Sequence, residues 1–451
     1  MRQAIMSYQN LVSEAGLTQK HLIYGDKELF QHELKTIFAR NWLFLTHDSL
    51  IPSPGDYVKA KMGVDEVIVS RQNDGSVRAF LNVCRHRGKT IVDAEAGNAK
   101  GFVCGYHGWG YGSNGELQSV PFEKELYGDA IKKKCLGLKE VPRIESFHGF
   151  IYGCFDAEAP PLIDYLGDVA WYLEPTFKHS GGLELVGPPA KVVVKGNWKV
   201  FAENFVGDIY HIGWTHASIL RAGQAIFAPL AGNAMLPPEG TGLQATTKYG
   251  SGIGVSLDAY SGVQSADLVP EMMAFGGAKQ EKLAKEIGDV RARIYRSQVN
   301  GTVFPNNCFL TGAGVFKVFN PIDENTTEAW TYAIVEKDMP EDLKRRLADA
   351  AQRSTGPAGY WESDDNDNMV LSQNAKKYQS SNSDLIADLG FGKDVYGDEC
   401  YPGVVSKSAF SETNHRGFYR AYQAHISSSN WAEFENTSRN WHTELTKTTD
   451  R

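Results

Sequence analysis

No apolar run in the sequence is long enough to span a bilayer, so a membrane-crossing helix is not expected. The start, Met1-Arg2-Gln3-Ala4-Ile5-Met6, lacks the apolar core of a secretion signal, and the expected location is the cytoplasm. Basic residues are in deficit, 46 Lys and Arg against 54 Asp and Glu, giving a net charge of −8. A nucleic-acid partner needs clustered cations and is not expected. Six cysteines in 451 residues do not make a disulfide framework in a cytosolic chain. Internal repeats and low-complexity segments are also missing. What remains is the composition of an ordinary globular protein, 42% apolar and 22% charged, in a chain too long for one core. Two domains are the expectation.

Lys27 to Leu43 reads as an amphipathic helix. Phe30, Leu34, Ile37, Phe38 and Trp42 recur at helical spacing, and Asp26 is placed to cap the first turn. From about Asp56 the pattern turns to short strands. Val67-Ile68-Val69 and Val77 to Leu81 flank the hairpin signal Asn73-Asp74-Gly75, and a second turn signal stands at Asn114-Gly115. The spacing predicts a helical segment over 1–43, a small all-β domain over 44–160 and a larger domain over 161–451, with Pro160-Pro161 at the boundary. In the larger part Lys191 to Lys195, Val315 to Phe319 and Thr327 to Val335 read as strands. Leu283, Ile287, Val290 and Ile294 form one stripe of a long helix ending near Gln298, and another helix runs from Pro340 to Gly356. The fold class is α+β, an antiparallel sheet flanked by helices beside the all-β domain.

Cys84-Arg85-His86 and Cys104-Gly105-Tyr106-His107 carry the strongest chemical signal. Thiolate and imidazole at this spacing bind Zn²⁺ or an iron–sulfur cluster. In zinc fingers the cysteines usually pair with each other, and so do the histidines. Here each loop supplies one of each. That order suits a [2Fe–2S] cluster with Cys84 and Cys104 on one iron and His86 and His107 on the other, against the competing reading of a zinc clip. Two neutral imidazoles in place of thiolates raise the potential to roughly −150 to +300 mV.

A second group of donors lies between Glu203 and His216. His211 and His216 are five residues apart, about 140° beyond a full turn, so they share a metal only where the helix is distorted or ends. Asp208, one turn before His211, is placed to orient its imidazole. A carboxylate is needed to complete the set, and the run Glu362 to Asn368 offers Asp364, Asp365 and Asp367, which spacing does not separate. Two histidines and one carboxylate around Fe(II) leave positions for O₂. The competing readings are a satisfied polar core and a solvated acidic helix face.

The Cys-x-His…Cys-x-x-His pair followed by Asp208-x-x-His211-x-x-x-x-His216 resembles the large subunits of Rieske non-haem iron aromatic ring-hydroxylating dioxygenases, nearest the naphthalene and nitroarene group. The likeness runs from about Met6 to the C-terminus and leaves residues 1–5 outside it. It implies Cys84, His86, Cys104 and His107 as ligands of the Rieske cluster, and His211, His216 and Asp365 as ligands of a mononuclear Fe(II). It implies Asn204 beside that iron and Asp208 as a hydrogen-bonded bridge from His211 to His107 of a neighbouring subunit. A head-to-tail ring of three such chains, completed by three small β-subunits, is implied as well, fed by a ferredoxin and an NADH-dependent ferredoxin reductase. A Rieske electron carrier without oxygenase activity is the competing class, and it leaves His211 and His216 without a purpose.

By the same resemblance the substrate pocket draws on Phe205, Ile209, Ile212, Phe227, Ser256, Ser261, Val263, Gln298, Asn300, Leu310, Phe319, Thr355 and Trp361. Most are apolar, as a flat aromatic substrate requires. The naphthalene-type pattern is bulkier and more apolar at Ser256, Phe319 and Thr355. Gln298, Ser261 and Thr355 are then donors for a polar substituent, and a donor buried unpaired costs about 1–3 kcal/mol. The reading at this point is cis-dihydroxylation of nitroarenes, dinitrotoluene in particular, with nitrite release to a catechol. The alternative is a naphthalene-type or larger polycyclic hydrocarbon giving a cis-dihydrodiol.

Overall fold

The computed structural model describes residues 8–128, 130–222, 240–259, 268–377 and 384–446. The chain forms two compact units, one of residues 39–162 and one of residues 1–38 with 163–451. Among the described residues no helix is long and apolar enough to cross a membrane.

The smaller unit is built from three antiparallel sheets. One orders Val77–Leu81, Asp65–Arg71, Asp56–Met62 and Ala96–Asn98. The second orders Arg143–Phe147, Phe150–Cys154 and Leu43–His47, and the third Gly101–Val103, Gly110–Gly112 and Leu117–Ser119. The Asn73-Asp74-Gly75 turn joins two paired strands as its sequence predicts, with Gly75 at φ +85°. At the second turn Gly115 has φ +79°, and a Cβ there would lie 2.4 Å from the Phe80 ring. Phe80, Phe102, Trp109, Tyr111 and Leu117 fill the core behind the two Cys-His loops.

The larger unit is organised on one nine-stranded antiparallel sheet. Its central strands, from Thr326–Glu336 through Val315–Asp323, Asn307–Leu310, Gln298–Val303 and Gly252–Ser256 to Gly242–Thr246, are almost wholly buried. Helix Glu341–Thr355 packs on Thr326–Glu336, helix Trp198–Phe205 on the strands between Gln298 and Asp323, and helix Thr413–Ser427 on Gly242–Thr246 and Gly252–Ser256. The last contact is close, since a Cβ at Gly417 would meet Thr246 Oγ1 at 2.0 Å. The α+β class read from the sequence is the class observed.

Two elements end earlier than their periodicity predicts. The first helix is capped by Asp26, whose side chain accepts from Leu29 N–H at 2.6 Å, but it widens to a π-turn over Leu34–Phe38 and stops. Leu43-Phe44-Leu45 instead pairs as a strand with Phe150–Cys154. A short buried apolar run fits helix and strand equally well, and here the sheet partner decides. The predicted long helix is two, Val269–Ile287 and Asp289–Tyr295, broken at Gly288 with φ +84°. Gln298 opens a strand, and Val290 is 36% exposed while Leu283 and Ile294 are buried.

Helices far apart in sequence meet at one buried charge. The Glu33 carboxylate accepts from Lys199 Nζ at 2.6 Å and Trp198 Nε1 at 3.0 Å, and Tyr422 Oη donates to it as well. Both charged side chains are almost wholly buried, 1% exposed for Glu33 and 0% for Lys199. Removing one charge strands the other in a low-dielectric interior. Glu33→Leu is expected to lower unfolding free energy by about 3–5 kcal/mol, read from denaturant unfolding. A loss well under about 1 kcal/mol would show that Lys199 finds water or another partner.

Candidate metal centres

The two Cys-His loops of the smaller unit share one backbone design. Cys84 N–H donates to Lys89 O at 2.8 Å, and Gly88 N–H donates back to Cys84 O at 3.0 Å. Cys104 N–H donates to Trp109 O at 2.9 Å, and Gly108 N–H donates back to Cys104 O at 2.9 Å. Gly88 and Gly108 occupy the left-handed region at φ +74° and +71°, which lets each loop close. Both cysteines are buried and free. The His86 and His107 rings lie 4.5 Å apart, and His86 stacks on Trp109 at 4.8 Å with planes 4° apart.

Burial pushes the Cys84 thiol up, but hydrogen bonds from Tyr111, the His86 backbone and Cys104 outweigh it and hold the thiol below its usual range. Tyr111 Oη is 3.3 Å from Cys84 Sγ and accepts from Arg85 N–H at 3.1 Å. His86 Nδ1 is buried with no hydrogen-bond partner. Stabilised thiolate on one side and an unsatisfied imidazole nitrogen on the other are a donor set that fits an iron–sulfur cluster. Among the described residues, the four donors do not form a set closed around one ion, as a zinc clip would.

In the larger unit helix Trp198–Phe205 ends just before Gly207, at φ +142°, where a Cβ would meet Asn414 Nδ2 at 2.4 Å. The carbonyls released by the helix end are satisfied from elsewhere. Asn414 Nδ2 donates to Val206 O and Gln244 Nε2 to Gly207 O, each at 2.7 Å. A one-turn helix, Ile212–Thr215, follows, with His211 at its N-terminal cap and His216 at its C-terminal cap. The helix is interrupted at both histidines, the distortion their five-residue spacing demands.

That break turns both imidazoles toward helix Tyr360–Ser372. His216 Nε2 lies 3.1 Å and His211 Nε2 3.4 Å from the same oxygen, Asp365 Oδ1. Of the three carboxylates that spacing left open, Asp365 stands between the rings. Asp364 faces His216 Nδ1 at 3.5 Å, and Asp367 is exposed. Among the described residues, these three side chains are the set whose donor atoms all come within 4.8 Å of one another. Asp365 Oδ1 has no hydrogen-bond partner despite the short distances. Both imidazoles converge on this one carboxylate oxygen, a donor set that fits a divalent cation. Burial raises the Asp365 carboxyl, but His211 and His216 together drive it far below the usual range. Asp208 Oδ2 is 3.3 Å from His211 Nδ1, and Asn204 Nδ2 is 3.5 Å from the same nitrogen. A cavity of about 280 Å³ borders Asn204, Asp208, His211 and Asp365.

The pocket residues fall on neighbouring elements. Ser256 pairs with Gln298 and Asn300 with Leu310 across adjacent strands. Phe319 is buried with its ring 5.7 Å from that of Phe205, and Trp361 packs edge-on to His216 at 4.5 Å. Ile209 is buried beside the helix break and Ile212 opens the short helix. Thr355 corrects the sequence reading, since its hydroxyl donates to Ala351 O at 2.9 Å within its own helix and has no proton left for a substrate. Both amide atoms of Gln298 are buried without partners. Phe227, Ser261 and Val263 lie outside the described residues. Sequence reasoning passed over Lys317, which pairs with Glu362 beneath Phe205 and Phe319. The available signal was a lysine in the middle of the apolar strand Val315 to Phe319.

Comparison with known proteins bears on both centres. Residues 41–142 match the family described as the Rieske [2Fe-2S] domain, and residues 164–428 match the ring hydroxylating alpha subunit (catalytic domain). The chain is 88% identical over 447 residues to the large oxygenase component of a naphthalene 1,2-dioxygenase system from Ralstonia sp., covering 99% of this chain and 100% of the relative. It is 80% identical over 449 residues to the same component from Pseudomonas putida, again covering 99% and 100%. A solved naphthalene 1,2-dioxygenase variant bound to phenanthrene superposes with a TM-score of 0.96 at 80% identity, covering 98% of this chain and 100% of that one.

His216→Ala is expected to lower iron from about three per chain to about two while labile sulfide stays unchanged. Metal and sulfide analysis of the purified protein reads this directly. Unchanged iron would remove His216 from the second centre.

Proposed function

Because this chain belongs to the ring-hydroxylating alpha-subunit family, and carries a Rieske cluster and a mononuclear iron, we propose that it cis-dihydroxylates naphthalene-type aromatic hydrocarbons. The near-complete likeness to the large components of naphthalene systems carries this substrate class. It replaces the nitroarene reading, one of whose proposed donors, the Thr355 hydroxyl, is engaged within its own helix.

In this proposal Cys84, His86, Cys104 and His107 hold the cluster, and His211, His216 and Asp365 hold the iron. The cluster supplies single electrons and the iron supplies the place where dioxygen is activated. The balance is one arene, one O₂, two electrons and two protons to one cis-dihydrodiol. The chain's own residues supply placement. Phe205, Phe319 and Trp361 offer ring faces and edges to a flat substrate beside His216 and exclude water from it. Asp208 accepts from His211 N–H at 3.2 Å and faces its Nδ1, fixing the ring so that Nε2 points at Asp365. Asp208 is also the residue proposed to reach a neighbouring chain's His107, in a ring of three large subunits completed by small subunits. Electrons come from a ferredoxin and an NADH-dependent reductase.

The test is product analysis with small subunit, ferredoxin and reductase supplied. Naphthalene is expected to give the cis-1,2-dihydrodiol as the main product. Nitrite and catechol from nitroarenes, with little diol from naphthalene, would reverse the substrate assignment. Asp208→Asn is expected to keep both metal centres and lose turnover by about 100-fold or more, since a small misplacement of a reacting group has that effect. Turnover at the wild-type rate would remove Asp208 from the electron path.

A further inference from the structure

A buried ion pair stands directly behind the aromatic side of the iron site, and the chemistry above makes no use of it. Lys317 lies in strand Val315–Asp323, and Glu362 lies in the first turn of helix Tyr360–Ser372. They form a salt bridge with side chains 0% and 6% exposed. Along the strand Lys317 and Phe319 point to the same face. The Lys317 ammonium lies 5.7 Å from the centre of the Phe205 ring and 5.9 Å from that of Phe319. On the helix Glu362 is next to Trp361 and one turn before Asp365. The pair therefore ties the strand carrying Phe319 to the helix carrying Trp361 and Asp365.

Stability alone gives little reason for such a pair. Desolvating two charges costs several kcal/mol per ion, and an apolar pair of similar volume is often as stable or more so. Apolar contact is non-directional, however, and lets packed surfaces slide. An ammonium held by a carboxylate and by the negative faces of two rings has one preferred place, and every displacement weakens all three attractions. Burial raises the Glu362 carboxyl, the charge on Lys317 opposes that rise, and Asp365 and His216 are the other charged or titratable groups acting on it.

We propose that the Lys317–Glu362 pair is a positioning device that sets the Phe205–Phe319 floor relative to Asp365, and so decides which carbon–carbon bond of the substrate lies over the iron. The inference rests on the aromatic-hydroxylation reading above. Neither residue touches the substrate in this account; both act through the rings and the helix.

Phenanthrene is a suitable probe, because its edges are inequivalent and the ratio of dihydrodiol regioisomers reports ring placement. In the complete enzyme the neutral double variant Lys317→Met with Glu362→Gln removes both charges at nearly constant volume. It is expected to keep wild-type iron and sulfide content and to bind phenanthrene, by fluorescence titration without reductant, within about threefold of wild type. The regioisomer ratio is expected to shift by about threefold or more. Glu362→Asp keeps both charges but shortens the link by one methylene, and it is expected to shift the ratio in the same assay should the double variant not fold. A wild-type ratio in either variant at full iron content would overturn the inference. Weakened binding with an unchanged ratio would do so too, since that marks a packing role. Wild-type enzyme giving no dihydrodiol from any hydrocarbon would overturn the function reading, and this inference with it.

Discussion

Three lone-pair donors aimed at one buried point repel one another unless a cation sits between them, and that electrostatic demand organises the larger unit. His211 Nε2 and His216 Nε2 each stand within 3.4 Å of Asp365 Oδ1, and the three donor atoms all lie within 4.8 Å of one another. A continuous helix cannot aim two histidines five residues apart at one point, so the helix is broken at Gly207 and again at His216. Broken helices expose carbonyls, and those are taken up by Asn414 and Gln244 from the helix and sheet packed alongside. Each step follows from the one before it.

Burying charge elsewhere in the unit extends the same logic. Glu33, Lys199 and Tyr422 bring three helices together around one carboxylate, and Arg416 pairs with Asp394 where both side chains are 0% exposed. Such pairs add little net stability but penalise every arrangement in which one partner is misplaced. A site made from a helix break near 210, strands between 298 and 319 and a helix at 365 needs that kind of registry. Lys317 and Glu362 supply it nearest the iron.

The smaller unit meets a different demand with simpler means. Its four donors come from two loops with one hydrogen-bond pattern, each closed by a left-handed glycine and set on the ends of paired strands. Because each loop is local, cysteine and histidine fall into place once the loop closes on its own backbone hydrogen bonds, and the Trp109 and Tyr111 side chains then fix ring orientation and thiolate charge.

That difference in range explains what could be read in advance. Cys84 with His86, Cys104 with His107, and Asp208 with His211 and His216 are chemistry written in neighbouring residues, so spacing alone exposed both donor groups and the α+β plan around them. The early stop at Phe38 and the break at Gly288 were hidden, because an apolar period does not say which partner the face will meet. Spacing did not tell Asp365 from Asp364 or Asp367; the family resemblance pointed to Asp365, and the docked helix sets its carboxylate against the two imidazoles. The Thr355 hydroxyl looked free until its bond to Ala351 appeared, and Lys317 looked like a strand residue until Glu362 was brought to it across 45 positions. Local spacing determined which residues could hold metal, and long-range packing alone decided which carboxylate faces it and what holds the aromatic floor in place, because contact energies between distant segments exist only once the chain is folded.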